Sequence, residues 1–381
     1  MRVLVNALSA RKGGIVTYTN NLLHAFQKRG IDINVAVSED FETEFDQSIS
    51  RLKVARFSPL QRLIWEQTSW RKFVKNYNPD ILFSSANFGL INCPVNQILL
   101  LREGGLFDPF YLANMTAPLG VWNGVNRYFR RRLMLLSAMS ADQIITPTIA
   151  MHDLVSLWHP EITEKCSVNP YGTINEAFKP LAGRRKWCGD GVCRLVYVSV
   201  YYPHKVPRML CLAVDKLRES GLECHATITM APHEFTEMQG GDLDEIIVNE
   251  AAQRGIVSLG NYKYEALPEL YRSQDVFVFP SVSETFGHPM AEAMSSGLPV
   301  VAADTPVNRE ICGDAALYFE PFSVTGLADS IRLLDRDENL RESLPKIGRE
   351  RALEKFGWED HIDRLIETME KMLRGQAENH E

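Results

Sequence analysis

The chain has 381 residues, 45% of them apolar and 23% charged, with a formal net charge of −7. This mixture excludes a disordered chain and a small disulfide-stapled scaffold, and the length suggests two domains of roughly 150 residues or more. The acidic balance excludes a nucleic-acid binder held by bulk electrostatics. The seven cysteines are scattered, odd in number and without a C-x-x-C, which reads as a set of reduced thiols. The nearest pair, Cys188 and Cys193, has no second pair at zinc spacing, so no metal site is expected. No apolar run approaches the ~18 residues that would span a bilayer, and MRVLVNALSARKGG does not read as a secretory leader; a cytoplasmic protein is expected.

In chain order, RVLV (2–5) predicts a strand and GIVTYTNNLLHAFQKRG (14–30) a helix ending at a glycine. INVAV (33–37), DILFSS (80–85), NQILLL (96–101) and DQIITP (142–147) predict further strands, separated by longer stretches, several with helical spacing. Two of these, RLIWEQTSWRKFVKNY (62–77) and VNRYFRRRLMLLSAM (125–139), are basic and amphipathic. They fit either ordinary domain helices with charged outer faces or helices that lie on an anionic membrane. A segment broken by Gly, Pro and charge, 169–187, marks the seam. Beyond it the grammar repeats: RLVYVSV (194–200), CHATITM (224–230), GIVSLG (255–260), DVFVFP (275–280) and LPVVAA (298–303) predict strands, and 358–375 a closing helix. Strands alternating with helices imply two α/β domains with mostly parallel, doubly wound sheets.

Two places carry candidate chemistry. Gly13 and Gly14 stand where the first strand hands over to a helix, which suits either a phosphate held on backbone N–H groups or simply a tight turn. In SETFGHPMAEAM (283–294), Gly287 supplies a bend and Pro289 fits the first turn of a helix. Glu284 then stands in a loop beyond a strand and Glu292 in the first turns of that helix. The two carboxylates fit an acid/base pair, a clamp on ligand hydroxyls, or a solvated loop charge beside a helix-dipole complement.

At this stretch the chain resembles the retaining glycosyltransferases of family 4. FPSVSETFGHPMAEAM (279–294) matches their P-S-x-x-E-x-F-G-x-P-x-x-E-A-M pattern, with its E-x7-E pair, at every named position. The flanks LGNYKYEALPELYRSQDVFVFPS and SGLPVVAADTPVNREICGDAALYFEP fit as well, as do ADQIITPTIAMHDLV and VNPYGTINEAFKP upstream. The likeness is thinner between about residues 40 and 140.

The resemblance implies a GT-B fold, two Rossmann-like domains facing a central cleft: 1–175 on the acceptor side, 176–359 binding a nucleotide sugar, and a helix of about 360–381 packing back on the first. It implies transfer of a sugar from a nucleotide-diphosphate sugar, with retention and without a metal or other cofactor. The acceptor would be a glycan or lipid-linked saccharide in polysaccharide or lipopolysaccharide assembly, reached by a peripheral protein on the inner face of the cytoplasmic membrane. Glu292 would hold the ribose hydroxyls and Glu284 the transferred sugar. Phe286, Gly287, His288, Pro289 and Met290 would line the donor, and Lys205 and the Gly13–Gly14 loop would meet the diphosphate, with Lys205 and Glu284 in the catalytic roles.

Two departures stand out. Val200 occupies the place of an arginine that pairs with the lysine, so that His204, Arg208 or Lys12 would have to compensate. The loop LLLREGGLFDPFY (99–111) lacks a histidine and offers Arg102 and Glu103 instead on the acceptor side. These departures keep two alternatives in view, a sugar-nucleotide epimerase on the same scaffold and a non-catalytic nucleotide-sugar binder.

Overall fold

The computed structural model describes residues 1–10, 14–43, 48–116, 119–173, 177–180 and 186–380. They divide into two compact units: residues 1–107, 126–170 and 359–381, and residues 108–125 and 171–358. The segment 108–125 thus groups with the second unit and the C-terminal helix with the first.

The first unit holds seven parallel strands: β1 (Arg2–Asn6), β2 (Asp32–Ser38), β3 (Ile49–Leu52), β4 (Ile81–Ser84), β5 (Asn96–Leu100), β6 (Gln143–Thr146) and β7 (Cys166–Val168). Their order is β3-β2-β1-β4-β5-β6-β7. The central strands are buried on both faces, which is why they read as continuous apolar runs rather than alternating ones. Helix Gly14–Lys28 places Tyr18, Leu22 and Phe26 on one stripe, all buried, and the chain turns away at Gly30 with φ +67°. The basic stretch 62–77 is helical throughout but in three pieces, with a π-helical middle at Glu66–Trp70. Ser58 starts it with a capping box, accepting from the Gln61 N–H while Gln61 accepts from the Ser58 N–H. Trp70 and Val74 of this helix pack with Leu4, Leu82 and Leu90 on one side of the sheet.

The second unit repeats the plan with β8 (Cys193–Tyr197), β9 (Cys224–Ile228), β10 (Val257–Leu259), β11 (Val276–Phe279), β12 (Val300–Ala303) and β13 (Ala316–Phe319), ordered β10-β9-β8-β11-β12-β13 and all parallel. In each sheet the order reverses at one point, between β1 and β4 and between β8 and β11. The loops leaving the carboxyl ends of the strands diverge there, and in open α/β sheets that crevice is where ligands bind. Strands β3, β7 and β13 are additions to those read from the sequence. Each is three or four residues long at a sheet edge; β3 and β7 are only partly buried and carry no clear apolar run, whereas β13 carries the short apolar run ALYF.

The closing helix Trp358–His380 is fastened within the first unit by His361, which is 1% exposed. Its Nδ1–H donates to the Pro170 carbonyl at 2.9 Å, so Nε2 accepts from the Tyr18 hydroxyl at 3.1 Å. The Asn169 amide in turn donates to the His361 carbonyl, and Arg29 pairs with Glu359 and Asp363 at the surface. Replacing His361→Leu strips hydrogen bonds from buried groups and should cost about 2 kcal/mol of stability. Chemical denaturation checks this, and a loss confined to a few tenths would mean that apolar packing alone seats the helix.

Candidate functional site

The loop that follows β8 is held by its own unit at almost every residue. The Ser199 N–H donates to Thr229 Oγ1 at 3.0 Å and the Tyr201 N–H to Glu234 Oε2 at 2.8 Å. The Tyr201 hydroxyl reaches Asp244 Oδ2 at 2.9 Å, and Arg208 Nη1 donates to the other oxygen of the same buried carboxylate at 2.8 Å. Burial raises Asp244 above the ordinary carboxylate value, with Arg208 and Tyr201 opposing. Val206 is left-handed at φ +44°, a conformation that a β-branched residue adopts only when its surroundings impose it. That bend turns Lys205 inward: the Tyr197 hydroxyl donates to the Lys205 carbonyl at 2.9 Å, and the ammonium meets Glu284.

The loop that follows β11 is tied to the first loop by its backbone. The Val282 N–H donates to the His204 carbonyl at 3.0 Å, and Ser281 Oγ reaches the same oxygen at 3.3 Å. Lys205 and Glu284 thus close a bridge across the switch point between β8 and β11, with side chains only 12% and 10% exposed. Burial alone would raise Glu284. The Lys205 ammonium, His204, and hydrogen bonds from Lys205 and Ser281 outweigh it and hold the carboxyl below its ordinary value.

Gly287, with φ +84°, bends the chain into helix His288–Ser295, with Pro289 in its first turn. A side chain at Gly287 would be strained by that backbone, and its Cβ would stand 2.5 Å from the Met290 methyl. His288 hydrogen-bonds Thr173 Oγ1 through Nδ1 at 2.7 Å and stacks on Tyr171 at 5.1 Å. Glu292, two turns of chain beyond Glu284, is 4% exposed and accepts from the Tyr271 hydroxyl at 2.9 Å. Here burial dominates over hydrogen bonds from Tyr271 and Tyr264 and pushes the carboxyl up to about 7. A third contact comes from the segment 108–125: Ser283 Oγ donates to Asp108 Oδ2 at 2.9 Å, while Asp108 Oδ1 caps the turn at Phe110 and Tyr111. The Tyr111 ring stands edge-on to His204 at 5.7 Å.

The structure therefore brings Lys205, His204 and Glu284 together in the second unit, where Glu292 and the helix start at His288 follow on the same loop-and-helix segment. Phe286 is buried among Tyr171, His288 and Phe356, and the Met290 N–H already donates to the Gly287 carbonyl at 3.0 Å. Arg208 is committed to Asp244, and Val200 is 61% exposed. Gly14 opens its helix, whereas Lys12 and Gly13 lie outside the described residues. In the first unit, the Arg102 N–H donates to Asn87 Oδ1, and Glu103 accepts from Arg130 at 2.7 Å. Sequence reasoning missed Tyr271, Thr173 and Asp108, none of which has a local signal that aims it at its partner. The thiols of Cys188 and Cys193 lie within 4.8 Å of each other and of the Asp275 carboxylate. Asp275 Oδ2 already accepts the Arg194 N–H at 2.8 Å, and three donors fall short of a closed tetrahedral set.

Residues 192–351 match the family described as glycosyl transferases group 1. The chain is 34% identical over 272 residues to the O-antigen chain mannosyltransferase RfbU of Salmonella typhimurium, covering 70% of this chain and 69% of that protein. The chain belongs to the group 1 glycosyltransferases. It is also 38% identical over 242 residues to the O-antigen chain mannosyltransferase B of Escherichia coli, which covers 64% of this chain but only 58% of that protein. Among solved structures it superposes on Anabaena HepE in complex with UDP-glucose with a TM-score of 0.74 at 15% identity, covering 97% of this chain and 100% of that one. The fold is the GT-B type, with two parallel-sheet α/β domains.

The environment of Glu292 has a consequence that stability measurements can read. Its folded-state value lies above that of the unfolded chain, so its contribution is most favourable at low pH and is lost as pH rises from about 4.5 towards 7. Glu292→Gln removes the ionisation and keeps an acceptor for Tyr271. The ligand-free variant should gain stability over the parent as pH rises, by about 2 kcal/mol between pH 5 and 8. Parallel denaturation curves with no pH-dependent difference would contradict this.

Proposed function

We propose that this protein transfers a sugar from a nucleoside-diphosphate sugar to a glycan or lipid-linked saccharide, with retention of anomeric configuration and without a metal, in the assembly of a surface polysaccharide. The observation that carries this reading is the Lys205–Glu284 bridge at the switch point of the second sheet, followed within one turn by a helix start. The O-antigen mannosyltransferases among its relatives support the acceptor class, and the UDP-glucose complex of HepE supports the donor class.

Transfer breaks the bond between the anomeric carbon and a diphosphate oxygen. Negative charge builds on the leaving group as the sugar becomes oxocarbenium-like, and fixed positive potential beside that oxygen lowers the barrier. Lys205 supplies an ammonium, and the start of helix His288–Ser295 supplies backbone dipole. Without ligand, Glu284 balances Lys205. A diphosphate takes over that cation and leaves the Glu284 carboxylate to accept from sugar hydroxyls. Glu292, in its own buried niche, accepts from the ribose diol. Because Val200 brings no charge and Arg208 is held by Asp244, Lys205 carries most of the electrostatic load in this unit.

A panel of nucleoside diphosphates in the presence of EDTA tests the donor reading. One base class should stabilise the protein, by about 2.7 kcal/mol at ~100 times its dissociation constant. Glu292→Ala should abolish the shift, and Lys205→Met should lower kcat/KM on the order of 100-fold. Stabilisation that survives Glu292→Ala would remove the ribose role, and activity lost to EDTA and restored by a divalent cation would remove metal independence. Conversion of the donor to an epimer without an acceptor would favour the epimerase reading.

We also infer a peripheral association with anionic membranes. Among the described residues no helix is long and apolar enough to cross a bilayer. Of the basic stretches, Arg62 and Arg71 are tied to Glu66 and to backbone carbonyls, Arg130 is paired with Glu103, and Arg127 and Arg131 are half-buried, so Lys72, Lys75 and Arg132 form the exposed remainder. The protein should sediment with anionic vesicles at low salt and not with neutral ones, and equal recovery from both would count against it.

A further inference from the structure

Three of the seven cysteines gather where the second sheet begins. Cys193 opens β8 and pairs in parallel register with Cys224, the first residue of β9, and both are fully buried. Cys188 approaches from the preceding turn and is half-buried. Two left-handed residues shape that turn, Cys188 at φ +46° and Gly191 at φ +82°, and the Gly191 N–H closes it by donating to the Cys188 carbonyl at 2.7 Å. Glycine takes such a φ freely, whereas cysteine takes it where its surroundings impose it. Trp187 anchors the turn: its Nε1 donates to Asp335 Oδ1 at 3.0 Å, and the Arg341 guanidinium lies 5.2 Å from its ring centre.

The bend directs Cys188 to one thiol in particular. The Cys188 and Cys193 sulfurs and the Asp275 carboxylate all lie within 4.8 Å of one another, whereas Cys224 turns its Sγ to the Val214 carbonyl at 3.7 Å. The Cys193 thiol donates to Cys188, and that contact together with burial holds Cys193 well above the ordinary thiol range. Cys193 therefore stays protonated while Cys188, the member of the pair with surface open to solvent, meets an incoming reagent. Asp275 is 2% exposed, and the Arg194 N–H donating to its Oδ2 at 2.8 Å fixes the carboxylate beside both sulfurs. The other half-buried thiols, Cys93 and Cys166, are each pushed up to about 11 by burial, which leaves little thiolate to react.

We propose that Cys188 and Cys193 form a reversible dithiol–disulfide site, oxidised by small-molecule disulfides of the glutathione class, with Cys188 attacking, Cys193 resolving and Asp275 taking the resolving proton. In the first step the Cys188 thiolate attacks one sulfur of glutathione disulfide. A bond forms between Cys188 and that glutathione, the disulfide of the reagent breaks, and the second glutathione leaves as a thiolate that takes up the proton Cys188 lost. In the second step Cys193 passes its proton to Asp275 and attacks Cys188 Sγ. The bond to glutathione breaks, and the departing thiolate is protonated in turn. Two protein thiols are oxidised and one glutathione disulfide is reduced to two glutathione molecules. The sulfurs need only close to about 2.0 Å, a movement that the short turn between them can take up. The Lys205 loop leaves the other end of β8, so this site does not depend on the transfer reading.

Peptide mapping after timed exposure of the reduced protein to glutathione disulfide, with alkylation of the remaining thiols, tests the site. The parent should yield a Cys188–Cys193 disulfide ahead of any change at Cys93 or Cys166, and reduced glutathione should reverse it. Cys193→Ser should instead accumulate a glutathione adduct at Cys188. Cys188→Ser should react at Cys193 at least tenfold more slowly than the parent. Asp275→Asn keeps an acceptor for the Arg194 N–H and should slow ring closure about tenfold, so that the Cys188 adduct becomes visible. The parent's map needs no variant and decides the pairing even where a variant fails to fold. A parent adduct that never resolves, a disulfide through Cys224, or earlier reaction at Cys93 or Cys166 overturns the proposal. Ring closure at the parent's rate in Asp275→Asn overturns the role of the carboxylate.

Discussion

The ion pair between Lys205 and Glu284 is the constraint around which the second unit's site is built. It joins the two loops that leave the sheet at its reversal point, beyond the paired residues of β8 and β11, and adds a side-chain bridge to the Val282–His204 backbone hydrogen bond between them. The pair is largely withdrawn from water, so it would be costly to break one-sidedly. The surrounding network makes its geometry obligatory. The Tyr197 hydroxyl holds the Lys205 carbonyl, the His204 carbonyl receives two donors from the neighbouring loop, and Val206 keeps a left-handed backbone that only such over-determination sustains. A cation placed this way is already desolvated and aimed before any ligand arrives, which is the condition for electrostatic preorganisation.

The same rigidity explains why an uncharged residue at position 200 need not empty the site of charge. Arg208, the nearest basic alternative in the sequence, spends its guanidinium on Asp244 and so fixes the loop rather than the ligand. Among the described residues, Lys205, the nearby His204 flanked by Tyr111 and Tyr202, and a helix start remain in the second unit. Asp108 and Tyr111 reach this region from a segment that follows β5 in sequence yet groups with the second unit.

Much of the fold was legible because buried parallel strands announce themselves as short apolar runs and their helices as stripes. The edge strands β3 and β7 were not, since three or four half-covered residues carry too little pattern, and β13, with only the four apolar residues ALYF, is too short to tell from a buried turn of helix. The site divides in the same way. Glu284, Gly287, Pro289 and Glu292 stand within ten residues, and their order alone predicts strand, loop and helix start. Their partners are dispersed: Tyr271 is 21 residues from Glu292, Thr173 is 115 from His288, and Asp108 is 175 from Ser283. Only the folded chain brings these together, and each is an ordinary polar residue in its local context. The backbone strain at Val206 is equally silent, because nothing about a valine before a proline suggests a positive φ.

The two glutamates finally separate by environment rather than by position. Both are buried, and burial raises either one, yet their ionisation moves in opposite directions. Glu284 has a cation in contact and remains a carboxylate. Glu292 is met by the hydroxyls of two tyrosines, which stabilise its charge too weakly to offset desolvation. An acid and a base working on one bond would need a shared reacting atom, and no such arrangement follows from residues on opposite sides of the Gly287 bend. A diol, however, suits Glu292 well: two further donors would complete what the tyrosines begin, favour the ionised form, and repay the strain of holding a carboxyl near neutrality. On the proposed reading the ribose would be drawn to Glu292 because the ligand-free protein leaves this carboxylate under-solvated, just as the diphosphate would be drawn to the Lys205 ammonium, already largely stripped of water.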